Sequence, residues 1–302
     1  MSAGFLAVPN PPERVAVIVN PNGRRSLDAI RRALDRACPA GSRPTVLVTT
    51  GAGDATRLAR SVRDATDLVV AVGGDGTVAE VAAGLVESSV PLGIVPAGST
   101  NIVAREHRIP LGLNPAVRLL FGPHRLAIRD LGRCGDRVFL HMAGAGLDAR
   151  FFLGTNRQLK RHVGWLAYVP AAAVALAEPP AHVVVTADET TIEAESPLVL
   201  VANGASVVHP AIRLHPGIRS DDGWLDVLVF KGTDPASLAR TLVKFGVGQL
   251  EGAPEMVVLR ARRVTIQAQP EVPVQLDGDP VGTTPVTIAV IPAAIRLVVP
   301  LG

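Results

Sequence analysis

The chain has 302 residues, of which 48% are hydrophobic and only 3% are aromatic, and its formal net charge is +3. This length allows two ordinary domains or one large domain, and the few aromatic residues leave aliphatic side chains to fill the core. A charge this small, without aromatic residues on a basic face, excludes the usual pattern of a single-strand nucleic-acid binder.

The first third of the chain repeats short apolar runs, each followed by apolar residues at helical spacing. Four such runs precede helical patterns: Val15–Val19, 44–50, 67–72 and 91–101. Repeated β-α units predict a parallel sheet with helices on both faces. In sheets of this kind ligands bind beyond the carboxyl ends of the strands.

A glycine-rich turn follows the third run. The segment GGDGT (73–77) holds three glycines around Asp75, and a helical pattern comes next. Glycines let the backbone approach a ligand closely, and a helix N-terminus attracts anions. A ligand-free turn is the alternative, but the turns at 20–23 and 96–101 are expected at the same sheet edge. Together they favour one anion site.

The carboxylate of Asp75 specifies the ligand further. Beside a triphosphate it would meet a repulsion of about 4 kcal/mol per charge pair, at about 4 Å and an effective dielectric constant of about 20. A bridging Mg²⁺ would reverse that sign, because Mg²⁺ binds through one or two carboxylates plus phosphate oxygens. The turn therefore predicts a magnesium–nucleotide ligand. Its spacing excludes a dinucleotide fingerprint and a P-loop.

After about residue 130 the pattern changes to strands joined by turns, several of them alternating. This predicts a mostly antiparallel, β-rich domain, interrupted by one helical pattern at 234–248. We expect an α/β domain over 1–132 and a β-rich domain over 133–302, with the last strand a candidate for returning to the first domain.

Nothing in the sequence predicts a membrane span or a secreted protein. The apolar run at 163–177 is shorter than the ~18 residues that a span needs and favours a buried helix. Its basic flank at 157–162 is either a solvated helix face or a patch for anionic lipid headgroups. Cys38 and Cys134 have no metal or disulfide spacing, and the amino-terminal segment lacks the regions of an export signal. A cytoplasmic protein is expected.

These motifs, in this order, resemble the catalytic family of the diacylglycerol kinases and sphingosine kinases, which is related to the NAD kinases. The resemblance covers nearly the full chain. It rests on Asn20-Pro21-x-Gly23, Thr49 with 53–55, Gly73–Thr77, Gly98-Ser99-x-Asn101, and the segments 130–149, 221–230 and 275–280.

The resemblance implies a nucleotide-binding first domain, an acceptor-binding second domain and an active site in the cleft between them. It implies that ATP is bound by Asn20, Pro21, Asn22, Gly23, Thr49, Gly73, Gly74, Asp75, Gly76, Thr77, Glu80, Gly98, Ser99 and Asn101. The implied catalytic carboxylates are Asp75, Asp277 and Asp279, with one acid of the D-G-D segment as general base. A plain hairpin turn is the alternative for that segment.

The resemblance also implies metal ligands. Mg²⁺ would be held by the Asp222 side chain and by backbone oxygens of Arg219 and Trp224, and Asp130 would lie near the phosphates. For 219–224 the alternative is an acidic turn in solvent. For Asp130 it is a capping or surface role.

Some positions depart from the family pattern. Ile102 stands where an acid is common, Asp279 replaces a glutamate, and His141 stands where asparagine is frequent. A kinase without activity is one interpretation of these departures. The retained Asp75 and Asp277 favour an active enzyme.

The leading hypothesis is an ATP- and Mg²⁺-dependent kinase that phosphorylates a hydroxyl of a lipid such as diacylglycerol. The alternatives are a sphingoid-base or long-chain alcohol kinase, an NAD kinase-like enzyme, and a nucleotide-binding module without catalysis. We expect no nucleic-acid partner and at most peripheral, transient contact with the inner face of the membrane. The oligomeric state stays open, with a homodimer as one option.

Overall fold

The computed structural model describes residues 5–7, 11–154, 179–207, 209–214, 217–232, 237 and 255–301. The helix predicted at 163–177, its basic flank at 157–162, and all but one residue of the helix predicted at 234–248 lie outside them. The chain divides into two compact units. Unit 1 contains Met1–Asp130, Val208–Pro210 and Pro292–Gly302, and unit 2 contains Leu131–Val207 and Ala211–Ile291.

Unit 1 is built from β-α repeats. Its helices are α1 (Leu27–Ala37), α2 (Asp54–Val62), α3 (Asp75–Leu85), α4 (Ile102–Glu106) and α5 (Leu113–Phe121). Its strands are β1 (Phe5–Ala7), β2 (Arg14–Val19), β3 (Arg43–Val48), β4 (Leu68–Gly73), β5 (Leu92–Pro96) and the first part of β6 (Arg125–Cys134). Strands β5, β4, β2 and β3 lie side by side in that order, and each neighbouring pair is parallel.

Helices cover both faces of this parallel sheet. Val17 and Val70 pack in one cluster with the apolar residues of α1 and α5. Ile18 and Ala71 are also fully buried, and alternation along a strand places them on the opposite face. Helices α2 and α3 pack on each other and contact β2 and β4. Burial on both faces explains why these strands are continuous apolar runs.

Unit 2 is rich in antiparallel strands. It contains helix α6 (Leu147–Gly154), and Ser237 is also helical. The remaining strands are β7 (Arg137–Phe139), β8 (Met142–Gly146), β9 (Ala181–Ala187), β10 (Thr190–Ser196), β11 (Leu198–Ala202), β12 (Ser206–Val207), β13 (His209–Arg213), β14 (Leu225–Phe230), β15 (Met256–Ala261), β16 (Arg263–Gln269), β17 (Pro273–Leu276), β18 (Asp279–Thr283) and β19 (Val286–Val299). The start of β13 and the end of β19 belong to unit 1.

Two antiparallel sets of strands enclose the core of unit 2. One runs in the order β15, β14, β11, β8, β17, β18, and in the other β10, β9, β16 and the start of β19 are adjacent. Val185, Val201 and Val227 belong to one buried cluster between them. The end of β19 pairs in parallel with β5 in unit 1, with Leu297 opposite Leu92. The predicted fold class, a parallel α/β part followed by a mostly antiparallel β-rich part, is confirmed.

Among the described residues, no helix has the length and apolar character that crossing a membrane requires.

Candidate active site

The loops that follow β2, β4 and β5 meet at the carboxyl edge of the parallel sheet. They comprise residues 20–24, 73–77 and 97–101, and we call these residues the three-loop edge. They include every predicted nucleotide contact except Thr49 and Glu80. The sheet itself brings them together, because β2, β4 and β5 are adjacent and parallel.

Hydrogen bonds from the first loop fix the other two. The Asn20 N–H donates to the Val72 carbonyl at 3.0 Å, and Asn20 Nδ2 donates to the Thr77 hydroxyl at 3.1 Å. The Arg24 N–H donates to the Ala97 carbonyl at 2.9 Å. These bonds within the chain fix the positions of the three loops relative to one another. Arg24, which is not among the predicted contacts, is exposed at this edge.

The second and third loops touch backbone to backbone. A Cβ on Gly98 would lie 2.5 Å from the Gly74 Cα, closer than real Cβ contacts allow. Asn101 closes the third loop, because its Oδ1 accepts the Gly98 N–H at 3.0 Å and its Nδ2 donates to the Gly98 carbonyl at 2.9 Å. The Asn101 side chain therefore stabilises the conformation of the third loop, for which the resemblance implies contact with ATP.

Helix α3 begins inside the three-loop edge. Gly74 is its N-cap and provides no side-chain hydrogen bond to the first turn, in which Asp75 is the first residue. Asp75 is partly exposed and Gly76 is exposed, whereas Thr77 is buried. The amides of this first turn and the positive end of the helix dipole together suit an anion.

Thr49 and Glu80, two of the predicted ATP contacts, lie outside the three-loop edge and form hydrogen bonds within the chain. Thr49 is buried, and its N–H donates to the Val19 carbonyl at 2.9 Å. The Glu80 carboxylate caps α2, because Oε1 accepts the Gly53 N–H at 2.9 Å and Oε2 accepts the Ala55 N–H at 3.1 Å. Thr49 therefore joins the ends of β2 and β3, and Glu80 joins α3 to the start of α2.

Asp130 is buried within unit 1. Its Oδ1 accepts the N–H of Ala293 at 2.7 Å, and Ala293 has a φ of 50°. The carboxylate thus holds a left-handed backbone position where β19 enters the unit. The expected surface role does not fit a buried Asp130, and the predicted place near the phosphates stays a prediction.

The D-G-D segment is a two-residue hairpin turn between β17 and β18. Asp277 and Gly278 have φ values of 48° and 89°, as a tight hairpin with two left-handed residues requires. The hairpin interpretation is therefore correct in geometry. Yet the Asp277 side chain does more than turn the chain. Its carboxylate accepts three backbone N–H groups at 2.8–2.9 Å, from Leu140, His141 and Met142.

Burial raises the pKa of the Asp277 carboxyl above its ordinary value, although His141 and the three amides act in the opposite direction. A raised pKa makes a carboxylate a better proton acceptor, and the amides fix where the oxygens lie. Asp279, the first residue of β18, is exposed. Of the two predicted acids, Asp277 is the one that the fold orients.

A third acid in unit 2, Asp148, escaped the sequence prediction. Its Oδ2 accepts a hydrogen bond from Gln275 Nε2 at 2.7 Å, and Gln275 Oε1 accepts the Gly278 N–H at 2.6 Å. A Cβ on Gly144 would collide with the Asp148 carboxylate. Burial raises the pKa of Asp148 to about 7. The segment A-G-A-G-L-D at 143–148 could have indicated this acid, because glycines near a carboxylate allow it to pack closely against the backbone.

The predicted second magnesium site does not fit the side chains present. Asp222 Oδ1 accepts the Trp224 N–H at 3.1 Å, and Oδ2 pairs with the Arg260 guanidinium. The Arg219 guanidinium pairs with Asp221 at 3.0 Å. The Arg260 guanidinium thus stands at the Asp222 carboxylate, and Mg²⁺ bound there would meet a like charge. Across the described residues, no three His, Cys, Asp or Glu side chains cluster as a metal site.

Comparison with known proteins assigns both halves of the chain. The sequence model of the diacylglycerol kinase catalytic domain matches residues 14–131. That of the YegS C-terminal NAD kinase beta sandwich-like domain matches residues 141–299. The two matches cover the three-loop edge and the D-G-D turn respectively.

Similar proteins have matching names. A YegS-like protein of Pseudomonas fluorescens, named as a lipid kinase, is 30% identical over 95% of this chain and 96% of its own length. A diacylglycerol kinase of Bacillus subtilis is 29% identical over 90% of this chain and 92% of its own. An uncharacterized Synechocystis protein is 27% identical over 77% of this chain, which spans 55% of that protein's length. A solved structure of a proposed diacylglycerol kinase from Bacillus anthracis superposes with a TM-score of 0.77, at 26% identity, over 96% of this chain and 98% of that one.

Proposed function

Because the chain belongs to the family of the diacylglycerol kinases and YegS-like lipid kinases, we propose that it transfers the γ-phosphoryl group of magnesium-bound ATP to a lipid hydroxyl. Diacylglycerol is the proposed acceptor, since that is the substrate in the names of relatives aligned over most of both chains. The observation that carries the proposal is the three-loop edge. Its glycine-rich loops and the first turn of α3, at the carboxyl ends of parallel strands, support the binding of an anion there.

The three-loop edge would bind the polyphosphate of ATP. Close packing of Gly74 and Gly98 keeps side chains out of the space that phosphates need, and the first amides of α3 point their positive end there. Asp75 would meet the phosphates through the Mg²⁺ that arrives with ATP, which converts repulsion into attraction. Arg24 would add a cation for the charge that shifts during transfer.

Asp277 would act on the acceptor hydroxyl. Phosphoryl transfer proceeds mainly by positioning and charge stabilisation, so the base takes its proton when transfer is well advanced. The three amides from Leu140, His141 and Met142 hold the Asp277 oxygens in place for this task. Its raised pKa brings the carboxyl closer to the range in which a general base is effective.

A transfer assay tests the acceptor class. The full chain is incubated with radiolabelled ATP and Mg²⁺, together with vesicles containing diacylglycerol, a sphingoid base or a long-chain alcohol, or with NAD. Label in diacylglycerol is the expected result. Label in another lipid would support a lipid kinase with a different acceptor. Label only in NAD would overturn the lipid assignment.

The variant Asp277→Asn distinguishes a kinase from a binding module. It should abolish turnover and leave ATP affinity unchanged, because the turn lies in unit 2 and ATP is assigned to unit 1. The matched control is Asp64→Asn, a carboxylate with 91% of its side chain exposed. It should keep full activity. Transfer that survives Asp277→Asn would remove Asp277 from the mechanism.

A further inference from the structure

The loop at 219–226 already contains a cation from its own chain. We propose that the Arg260 guanidinium is the resident cation of this loop, in the place where the family resemblance implies a structural Mg²⁺. The proposal concerns this loop alone and does not depend on the acceptor or on the Mg²⁺ that accompanies ATP.

The strand register delivers Arg260 to the loop. In the antiparallel pair of β14 and β15, Arg260 stands directly opposite Asp226. Arg260 Nε lies 3.6 Å from Asp226 Oδ1, and Arg260 Nη2 pairs with Asp222 Oδ2. Asp226 is 4% exposed and Asp222 is 21% exposed, so the two carboxylates need a positive neighbour. One guanidinium supplies it to both.

Aromatic packing holds the guanidinium over the loop. The Arg260 Cζ lies 5.6 Å from the centroid of the Trp224 ring, and the Arg262 Cζ lies 4.8 Å from it. Both are within the range of cation–π attraction. A planar guanidinium can pair with carboxylates along its edge while its face meets a ring, so these contacts are compatible.

A divalent ion would disturb this arrangement. To take Asp222 Oδ2 as a ligand it would have to displace the Arg260 guanidinium from that oxygen. The displaced guanidinium would remain near an ion of like charge, because Asp226 and the ring position it. The loop is therefore complete without metal.

Thermal unfolding of the ATP-free full chain tests the proposal. The unfolding midpoint of the wild type should be the same in EDTA and in Mg²⁺, and the dialysed protein should carry no stoichiometric Mg²⁺. A midpoint that falls in EDTA and returns with Mg²⁺ would overturn the proposal. So would one bound Mg²⁺ per chain after dialysis.

Variants provide the positive arm. Arg260→Met removes the charge and keeps an apolar stem, so its midpoint in EDTA should fall by about 2–4 °C. Mg²⁺ should restore part of that loss, and adding Asp222→Asn should abolish the restoration. Arg262→Met is the matched control, since this residue contacts the same ring, and it should gain no response to Mg²⁺. If Arg260→Met loses nothing, or if Mg²⁺ restores nothing, the guanidinium is not serving as the cation of the loop. Should the variant fail to fold, the wild-type measurements still decide.

Discussion

Replacing Asp148 by asparagine should change how the stability of the protein depends on pH. Asp148 Oδ1 is buried without a hydrogen-bond partner in the described part of the chain, and Oδ2 is held by Gln275. Burial raises the pKa of this carboxyl from 3.8 to about 7. The folded protein therefore binds the Asp148 proton more tightly than the unfolded chain does.

The sign and size of the effect follow from that difference. A raised folded-state pKa contributes stability that is present below about pH 4 and is lost as pH rises through about 7. The shift is roughly three units at about 1.4 kcal/mol each, so the contribution of Asp148 is at most about 4 kcal/mol. Asparagine carries no charge and can still accept the Gln275 hydrogen bond through its own Oδ1.

Urea unfolding at about pH 5 and about pH 8 measures this contribution. The wild type should lose stability between the two, and Asp148→Asn should lose less and be the more stable protein at the higher pH. The control Asp64→Asn, at an exposed carboxylate, should follow the wild type. If the stability of Asp148→Asn changes with pH as that of the wild type does, or if the variant is the less stable protein at about pH 8, burial does not raise the pKa of this carboxyl as described.

Two further substitutions test the three-loop edge and its support. Gly98→Ala places a Cβ 2.5 Å from the Gly74 Cα and should reduce kcat/KM for ATP by roughly a hundredfold. The control Gly51→Ala adds a Cβ in open space and should leave kcat/KM unchanged. If both variants have the same kcat/KM, the contact between Gly74 and Gly98 does not matter for the use of ATP. Glu80→Gln weakens the cap of α2 and should cost about 1 kcal/mol in unfolding free energy with KM for ATP unchanged. A large rise in that KM would restore Glu80 as a nucleotide contact.

The parallel part of the fold was predictable because its signals are local. Runs such as Val15–Val19 alternate with helical spacing, and a parallel sheet must then place the following turns at one edge. The positions of the turns at 20–23, 73–77 and 96–101 at one edge could therefore be predicted before any contact between them was known. Unit 2 was predictable only as a class, because strand patterns do not specify which strands pair.

The individual roles of side chains depended on distant partners. Gly53 is the N-cap of α2 and has no side chain, so Glu80 supplies the hydrogen-bond acceptors from α3. The resemblance implied Asp222 as a metal ligand, and the register of β14 and β15 places Arg260 beside it. Such pairings are decided by tertiary packing, which leaves no local trace in the sequence.

For Asp277, the turn could be predicted from local sequence but the side-chain contacts could not. The D-G turn could be seen locally, but its three amide donors come from a segment more than a hundred residues earlier in the chain. The resemblance identified the acid, and the fold shows how it is oriented.

The most direct test of the account is whether the three-loop edge binds ATP through a divalent ion at Asp75. Calorimetric titration of ATP into the full chain should show clear binding with Mg²⁺ and much weaker binding without it, and Asp75→Asn should lose most of that difference. Binding that is indifferent to Mg²⁺, or no binding under either condition, would contradict it.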